Sequence, residues 1–512
     1  MKRKFVTNLI LLLFLNLLIK PFWIFGIDRT VQNLVGDHSY GLYFALFNFS
    51  ILLNILLDIG ITNYNNRNIA QHNFLLPKHL SNIVGLKFLL AIVYAIFCLV
   101  AAAIIGYNSI QFHILFFLIF NQFLISFTLY LRSNISGLHL FRTDSIISVL
   151  DRCIMILICS ILLFTNVLQG KFNIEWFVYA QTAAYVLTTI VTFVIVLNKS
   201  GRIKIKFNYK FFLVFLRKSY PYALLVLLMS FYNRIDSVML ERLLADPIGK
   251  EQAGIYAQAF RLLDAVSMFG VLFAGLLLPI FAKMIKQQES LGQMVQLSYT
   301  LIIVPAIIIA TSSVYYSNEI MSVLYKSNTA YSSEILGILM IGFVGIATTY
   351  IFGTLLTANG SLKYLNIMAF SGMVLNIVLN LFLIPRYQAI GSAYASLATQ
   401  IFAGTVQLLL ALFVFKLKPS VKFIFQLLMF IGAVLVLGTL SQIIENWFLG
   451  YLSMIISSVL LAFLLKHPAG IIPVTGSTKI ERLKSAYDAT RIHIEREEWF
   501  MLWEASIGEE VP

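Results

Sequence analysis

Long apolar runs of about 20 residues follow one another along the sequence, separated by short polar stretches. A helix needs about 20 apolar residues to cross a bilayer, whereas a barrel strand needs only about 10 residues of alternating polarity. The composition agrees with helices, because 59% of the 512 residues are hydrophobic and 12% are charged, whereas soluble domains carry about 25% charged residues. The mean hydropathy is +0.86. We therefore predict an all-α integral membrane protein.

The apolar windows predict about 14 transmembrane helices. They lie at 5–26, 39–60, 80–106, 111–133, 144–166, 174–198, 212–234, 254–282, 293–316, 334–357, 362–384, 389–415, 421–444 and 447–466. Cytoplasmic loops of membrane proteins are rich in Lys and Arg, and the stretch from Lys199 to Lys218 carries seven of them. This distribution places both termini in the cytoplasm. It also explains the net charge of +14 without a nucleic-acid partner.

The basic stretch separates two sets of six predicted spans, as in transporters built from parallel repeats. We expect an N-terminal six-helix lobe at 1–198, a basic cytoplasmic linker at 199–218, a C-terminal six-helix lobe at 219–416, an additional helix pair at 417–466 and a cytoplasmic tail at 467–512. Internal similarity is weak. Gly41-Leu42-Tyr43 and Gly254-Ile255-Tyr256 open the second and eighth spans, and Phe47 and Phe260 follow at the same offset.

The two ends of the chain each carry an ambiguous pattern. Met1-Lys2-Arg3-Lys4 before an apolar run is typical of a secretory signal, but Lys20-Pro21-Phe22-Trp23 offers no small residues for cleavage. We therefore expect a retained first span. In the tail, residues 480–503 form either an amphipathic helix on the membrane or protein surface, or a solvated extension.

Charged residues within the predicted spans are the first candidates for function, because ionisable groups in lipid are costly unless they face a bundle interior or a water-filled cavity. Arg261 and Asp264 lie inside the eighth span. They form either a local i,i+3 pair that fixes packing, or a phosphate-binding arginine with an acid that orients it or couples transport to H⁺ or Na⁺. Lys20, near the predicted outer end of the first span, either snorkels or binds a ligand. Asp151-Arg152 and Lys87, each about two turns from the predicted cytoplasmic face, are expected to serve in structural gating or to snorkel.

Further polar residues lie near the ends of spans or within them. Arg234 and Asp236 are predicted at the outer end of the seventh span, and Asp58 at the cytoplasmic end of the second. Each is either an interfacial charge or part of substrate binding (Arg234) or of coupling and gating (Asp236, Asp58). Asn376 and Asn380 in the eleventh span either line a sugar path or bond between helices.

Motifs typical of enzymes are not found in the sequence. There is no Walker-type Gly-Lys-Ser/Thr, no Gly-x-Ser-x-Gly elbow, and no metal-ligand spacing among the seven histidines. No catalytic residue, metal or cofactor is therefore expected apart from a coupling ion. Cys98, Cys153 and Cys159 lie in apolar runs and are expected to be free, buried thiols.

Three segments, in matching order, resemble one transporter family. They are Leu57-Asp58-Ile59-Gly60 leading to Arg67-Asn68-Ile69-Ala70; Phe231-Tyr232-Asn233-Arg234-Ile235-Asp236 with Gly254-Ile255-Tyr256; and Leu379-Asn380-Leu381-Phe382-Leu383-Ile384-Pro385-Arg386-Tyr387 followed by Ala389-Ile390-Gly391-Ser392-Ala393. The set is similar to the bacterial polysaccharide repeat-unit flippases (the Wzx type) of the multidrug/oligosaccharidyl-lipid/polysaccharide exporter superfamily. The resemblance extends to about residue 466, and the tail has no match in this family.

The resemblance implies a two-lobed, 14-helix fold in the bacterial inner membrane that alternates between inward- and outward-open states. It implies an undecaprenyl-diphosphate-linked oligosaccharide as substrate, with membrane lipids and the polymerase and chain-length proteins of polysaccharide assembly as partners. The related lipid II flippases carry basic cavity residues on helices one, two and eight, and by that analogy Lys20 and Arg261 are head-group ligands. The second span departs from this pattern, since it offers only Asn48 and Asn54.

Three other functions are compatible with a chain of this composition. A multidrug cation antiporter of the same fold would favour an acidic, aromatic cavity. A membrane polymerase or glycosyltransferase would need a long extracytoplasmic loop with catalytic residues, which the predicted spans do not leave. A non-transporting scaffold would bind biosynthetic partners through the tail.

Overall fold

The structure is a computed structural model that describes residues 14–464 except for residues 17, 63–64, 67–68, 70–73, 75, 139, 166–170, 201–208 and 419. Within helices, the side chains of residues 78–79, 209–219, 221 and 464 are also outside the description. The predicted 467–512 tail and residues 201–208 of the basic linker therefore lie outside the described residues, as do Arg67 and Asn68.

The described chain is helical throughout. Its helices are α1 (Arg29–Leu52), α2 (Leu76–Ile105), α3 (Ser109–Gly137), α4 (Phe141–Phe164), α5 (Ile174–Ser200), α6 (Tyr209–Leu243), α7 (Ile248–Gln287), α8 (Gly292–Tyr315), α9 (Ser317–Leu324), α10 (Thr329–Ala358), α11 (Leu362–Phe415), α12 (Val421–Ser441) and α13 (Trp447–Leu464). Within the described residues, ten helices are long and apolar enough to cross a membrane. The prediction of an all-α, multi-pass membrane protein is confirmed.

The first helix is longer than its apolar window predicts. The chain is helical from residue 18, passes through a π-helical turn at Trp23–Asp28 and continues in α1. The break comes only at Gly36, whose φ of 79° lies in the left-handed region that glycine adopts without a steric penalty. The predicted end at residue 26 is wrong, because polar side chains after it are satisfied by other helices and need no water.

The second internal break lies where the sequence predicts it. Helix α11 contains a non-helical residue, Gln388, with φ 53° and ψ −130°, between the predicted spans 362–384 and 389–415. The chain turns tightly there, since a Cβ on Gly391 would lie 2.4 Å from the Leu383 carbonyl oxygen. Gln252 of α7 accepts a hydrogen bond from the Ala389 backbone N–H at 3.1 Å, which satisfies a donor left free by the break.

Helix α1 joins the first part of the bundle to the second. It packs on α3 and α5, and also on α6 and α7. We call residues 14–200 the N-terminal half and residues 209–415 the C-terminal half. The outward faces carry many exposed apolar side chains, including Ile104, Phe116, Phe382 and Phe413, as expected of a surface in contact with lipid.

The three cysteines are free thiols in the structure. Cys98 and Cys159 are buried as expected, but Cys153 is exposed. It lies on α4, a helix with a low buried fraction along its span, so the expectation of burial is wrong at this position.

Candidate functional site: a charged network between the halves

Arg261 and Asp28 form an ion pair that joins the two halves. The Arg261 Nε lies 2.8 Å from Asp28 Oδ2, and it also donates to the Tyr40 hydroxyl oxygen at 3.0 Å. Tyr40 in turn donates to Asp28 Oδ2 at 2.8 Å. The side chains of Asp28 and Arg261 are only 3% and 13% exposed. Such a pair is held in place by its partners, because removing one of them leaves a buried, uncompensated charge.

Arg234 and Asp264 extend this arrangement within the C-terminal half. The Nη1 and Nη2 nitrogens of Arg234 donate to Oδ2 and Oδ1 of Asp264, each at 3.0 Å. This is the bidentate geometry that arginine and carboxylate favour. Asp264 Oδ2 lies 3.9 Å from Arg261 Nη1. We call Asp28, Tyr40, Arg234, Arg261 and Asp264 the central charge network. Its two arginines and two carboxylates balance each other.

Aromatic rings surround the two arginines. The Arg234 guanidinium lies 5.1 Å from the centre of the Phe260 ring, and the Arg261 guanidinium lies 5.1 and 5.6 Å from the rings of Phe44 and Phe47. Cations are stabilised over aromatic faces at these distances. The repeated Phe47 and Phe260 positions thus both flank an arginine of the network.

The structure places these charges deeper than the sequence predicts. Helix α7 begins at Ile248, so Arg261 lies about 20 Å along the helix at 1.5 Å per residue, not near its end. Helix α6 continues to Leu243, so Arg234 and Asp236 are not terminal charges. The polar segment 241–252, which falls between the predicted spans 212–234 and 254–282, is largely helical. Its polar side chains Glu241 and Gln252 form hydrogen bonds with other helices.

Sequence reasoning missed Asp28, the main partner of Arg261. Asp28 falls in a predicted loop because the first apolar window ends at residue 26. A usable signal exists, since no glycine or proline interrupts the chain between Gly26 and Gly36, and a helix is free to continue through that stretch.

Lys20 lies on the helical stretch that packs against α4 near Arg152. It precedes Trp23 by three residues, and the Arg152 guanidinium lies 5.6 Å from the centre of the Trp23 ring. One turn before Lys20, Asn16 donates to Ser148 of α4 at 3.0 Å. Arg152 Nη1 donates to the Tyr185 hydroxyl oxygen at 3.3 Å. Arg261, in contrast, pairs with Asp28, eight residues after Lys20 in the chain.

Asp236 is buried in the C-terminal half, and no basic residue is among its described hydrogen-bond partners. Its Oδ1 accepts from the side-chain amides of Asn376 at 3.1 Å and Asn380 at 2.8 Å, and its Oδ2 accepts from the Tyr256 hydroxyl at 2.9 Å. Ser392 donates to the side-chain oxygen Oδ1 of Asn380 at 2.9 Å. Asn376 and Asn380 are fully buried, and in this state they bond between helices.

Asp58, at the end of the second predicted span, pairs with Lys87 of α2. The buried Lys87 ammonium donates to Asp58, to the Leu57 carbonyl oxygen at 3.0 Å and to Ser126 at 3.1 Å. Ile59 and Gly60 follow with positive φ angles of 45° and 82°. The pair thus holds the chain where the helical conformation ends.

One end of the bundle is closed by contacts between the halves, and we call it the closed end. A Cβ on Gly41 would lie 1.8 Å from the Lys250 carbonyl oxygen, and one on Gly254 would lie 2.0 Å from the Asp37 carbonyl oxygen. The two equivalent glycines of the internal repeat therefore meet each other. Only glycine permits this approach of two helix backbones.

Asp37 bonds to two elements of the closed end. Its Oδ1 accepts from Gln258 at 2.8 Å, and its Oδ2 accepts from Ser327 at 2.8 Å and Asn328 at 3.0 Å. Gln32 donates to the Gly254 carbonyl oxygen at 2.9 Å. These bonds join α1 to α7 and to the turn before α10.

A second set of closed-end contacts joins α3 to the end of α6. Gln111 donates to Glu241 at 2.7 Å and accepts from Arg242 at 2.9 Å, while the Arg242 guanidinium lies 4.2 Å from the Tyr107 ring centre. In the following turn, the Lys250 ammonium lies 2.6 Å from Asp246 and holds the pKa of that carboxyl below its usual value.

The fold is similar to that of known transporters. A lipid II flippase, MurJ in an inward closed conformation, superposes with a TM-score of 0.64 at 16% identity, covering 90% of this chain and 96% of the flippase. An inward-facing multidrug resistance MATE transporter gives 0.57 at 12% identity over 78% and 94%. A MOP superfamily transporter from Pyrococcus furiosus gives 0.58 at 14% identity over 80% and 94%. These superpositions establish the fold.

Short matches to curated proteins are of a different kind. A stretch of 55 residues, 11% of this chain, is 46% identical to 18% of the 6-dehydroglucose reductase of Agrobacterium fabrum. An uncharacterized oxidoreductase of Bacillus subtilis is 37% identical over 57 residues, 19% of its length. The chain thus spans about a fifth of the curated relatives that it matches.

A family model covers more than half of the chain. The polysaccharide biosynthesis protein model matches residues 6–285, which include Asp28, Tyr40, Arg234, Arg261 and Asp264. The fold is similar to that of transporters of the MOP superfamily. The chain belongs to the polysaccharide biosynthesis protein family and is a multi-pass membrane protein whose fold is similar to those of a lipid II flippase and MATE transporters.

Proposed function

We propose that this protein is a flippase. It moves undecaprenyl-diphosphate-linked oligosaccharide repeat units from the cytoplasmic to the periplasmic leaflet of the bacterial inner membrane by alternating access. The observation that carries the proposal is the central charge network. Arg261 pairs across the halves with Asp28, and Arg234 is joined to it through Asp264. Both arginines lie well inside their helices, where an ionisable group is costly unless it faces a bundle interior or a water-filled cavity.

The network suits a diphosphate group. Arginine presents a planar fork that binds phosphate oxygens bidentately, and both arginines are held over aromatic rings by carboxylates that a phosphate can replace. In our proposal the head group displaces Asp28 from Arg261 and Asp264 from Arg234, while Lys20 binds from the N-terminal half. Because the Arg261–Asp28 pair joins the halves, its replacement releases one of the bonds that hold them together.

The proposal includes a membrane orientation. Gly36 and Gln388 each divide a long helix into two segments, and counting these segments separately we propose 14 spans. Both termini are then cytoplasmic, and the closed end lies at the periplasmic face. The lobes are residues 1–198 and 219–416, joined by the basic linker 199–218 and followed by the helix pair 417–466 and the tail 467–512. The lipid tail of the substrate stays in the bilayer while the head group passes between the lobes.

Asp236 is our candidate for ion coupling. Its carboxylate is surrounded by neutral oxygen and amide groups and has no described cationic partner, so an H⁺ or a Na⁺ ion can compensate its charge. Asn376 and Asn380 position it in this state, and a sugar-path role for these two residues stays a prediction. Asp264 and Asp58 are proposed to act in gating, through their pairs with Arg234 and Lys87.

We predict that Asp236→Asn abolishes the dependence of flipping on an ion gradient. The amide keeps the shape and loses the titratable, ion-binding charge. Proteoliposomes would be assayed with and without imposed H⁺ and Na⁺ gradients, and Asp246→Asn, an exposed carboxylate in the α6–α7 turn, is the matched control. A variant that still responds to the gradient as the wild type does would rule out Asp236 as the coupling site.

The proposed function is tested by reconstitution. Purified protein in proteoliposomes would be given a fluorescent undecaprenyl-diphosphate oligosaccharide, and its accessibility to an impermeant reagent would be followed. We expect protein-dependent flipping of this lipid and no gradient-driven export of fluorescent organic cations. Cation export without flipping would favour the antiporter. Neither activity, under any imposed gradient, would favour the scaffold.

A further inference from the structure

We propose that Arg152 and Lys20 form an anion-binding subsite in the N-terminal half that receives a negatively charged group of the transported molecule. This proposal rests on the flippase function and names a part of its substrate site. Lys20 lies on helix residues 18–22, which lead into the π-helical turn Trp23–Asp28, and Arg152 lies on α4.

Unbalanced positive charge distinguishes this subsite from the central charge network. In the central charge network, each arginine already has a carboxylate within 3.0 Å. Among the described residues, the one carboxylate paired with Arg152 is Asp151, with 3.8 Å between Arg152 Nε and Asp151 Oδ2. The same carboxylate accepts a bond from the Arg152 backbone N–H at 2.8 Å. No hydrogen-bond partner of the Lys20 ammonium is found among the described residues. Lys20, Arg152 and Asp151 together carry an excess of positive charge inside the bundle.

The surroundings of Arg152 fix its position and leave part of its side chain accessible. Its centre lies 5.6 Å from the Trp23 ring and 5.9 Å from the Tyr185 ring, and Trp23 and Tyr185 are both buried in the core. The Arg152 side chain is nevertheless 27% exposed. An arginine held between aromatic rings loses little side-chain freedom on binding an anion, which favours affinity.

The subsite faces the central charge network. The Trp23 ring beside Arg152 stacks on Phe177. Phe177 contacts Tyr43 of α1, which in turn contacts Tyr40 of the network. Trp23, which packs against Arg152, lies five residues before Asp28 on the same helical stretch. A single head group with two anionic centres can therefore contact Arg261 and the Lys20–Arg152 pair at the same time. Those centres are either the two phosphates or a phosphate and the carboxylate of an acidic sugar.

The test measures binding by the full-length protein in nanodiscs. The probes are a fluorescent undecaprenyl-diphosphate trisaccharide of neutral sugars, the same lipid with one uronic acid, and inorganic diphosphate. The variants are Arg152→Gln, Arg152→Lys and Lys20→Gln. The matched control is Arg142→Gln, an exposed arginine on the same helix. We expect a Kd about 10- to 100-fold weaker for Arg152→Gln and Lys20→Gln, a partial recovery for Arg152→Lys, and no change for Arg142→Gln.

The pattern across probes decides which anion is bound. Equal weakening of both lipids assigns the subsite to the diphosphate, and weakening of the acidic lipid alone assigns it to a sugar carboxylate. Values within about twofold of the wild type for both lipids would overturn the subsite while the flippase function stands. If the wild type binds neither lipid, the proposed function fails, and inorganic diphosphate decides: binding that depends on Arg152 and Lys20 retains the subsite, and any other result overturns it.

Discussion

Replacing Gly254 by valine is expected to keep the closed end from forming. A side chain at this position would place its first carbon 2.0 Å from the Asp37 carbonyl oxygen, so the two helix backbones must separate. Overpacking of this kind costs about 1–3 kcal/mol, which corresponds to a shift of about 5- to 150-fold between two conformations. Flipping should fall by at least about tenfold, because a transporter that cannot close this end cannot complete its cycle.

The separation can be followed by thiol labelling. In a Cys153→Ser background, a cysteine at Ala257, which is fully buried, should react slowly with an impermeant maleimide in the parent and rapidly when Gly254→Val is added. Gly275→Val on the same helix is the matched control, because no heavy atom lies within 4 Å of a Cβ at that position. Equal labelling rates in the parent and in Gly254→Val would contradict the tight contact.

Replacing Arg261 by alanine is expected to destabilise the protein and abolish flipping. The change leaves Asp28, 3% exposed, without its cation, and breaking a buried pair in this way costs about 3–5 kcal/mol. Adding Asp28→Asn should recover most of the stability, because the uncompensated charge is gone, but it should not restore flipping. Thermal unfolding in detergent and the reconstituted flipping assay measure the two effects separately.

Arg386→Ala serves as the control for this pair of variants. Arg386 is exposed near the break in α11 and has no part in the network, so its loss should change neither stability nor flipping appreciably. The importance of Arg261 would be refuted by an Arg261→Ala variant that flips lipid-linked oligosaccharide at the wild-type rate.

Local sequence patterns predict the elements of this fold well. Runs of apolar residues identify the helices, and the Leu379–Ala393 segment predicts the break that the structure places at Gln388. Arg261 and Asp264 are recognised as candidates because charge within an apolar run is costly. The glycine repeat at residues 41 and 254 is also visible, although its meaning, a contact between the two copies, appears only in three dimensions.

The pairing of the charges could not be predicted because it depends on where helices end and how they rotate. Asp28 looks like a loop residue in a hydropathy window, yet Arg261 and Tyr40 satisfy it inside the bundle. The segment 241–252 is polar for a similar reason: Glu241 and Gln252 bond to other helices instead of to water. Where polar side chains bond to other helices, a hydropathy window ends a predicted span too early. For the same reason Asp236, predicted at the outer end of a span, lies inside α6.

The central claim is that the substrate head group replaces Asp28 at Arg261 and thereby releases the closed end. Spin labels at Ile110 and Ala245, exposed positions near the Gln111–Glu241 contact, would report the distance between the halves in a Cys153→Ser background. Adding undecaprenyl-diphosphate oligosaccharide should produce a population with a longer separation in the parent protein and none in Arg261→Ala, while free oligosaccharide should have no effect. A distance distribution that stays unchanged in a protein that flips the lipid would contradict the account.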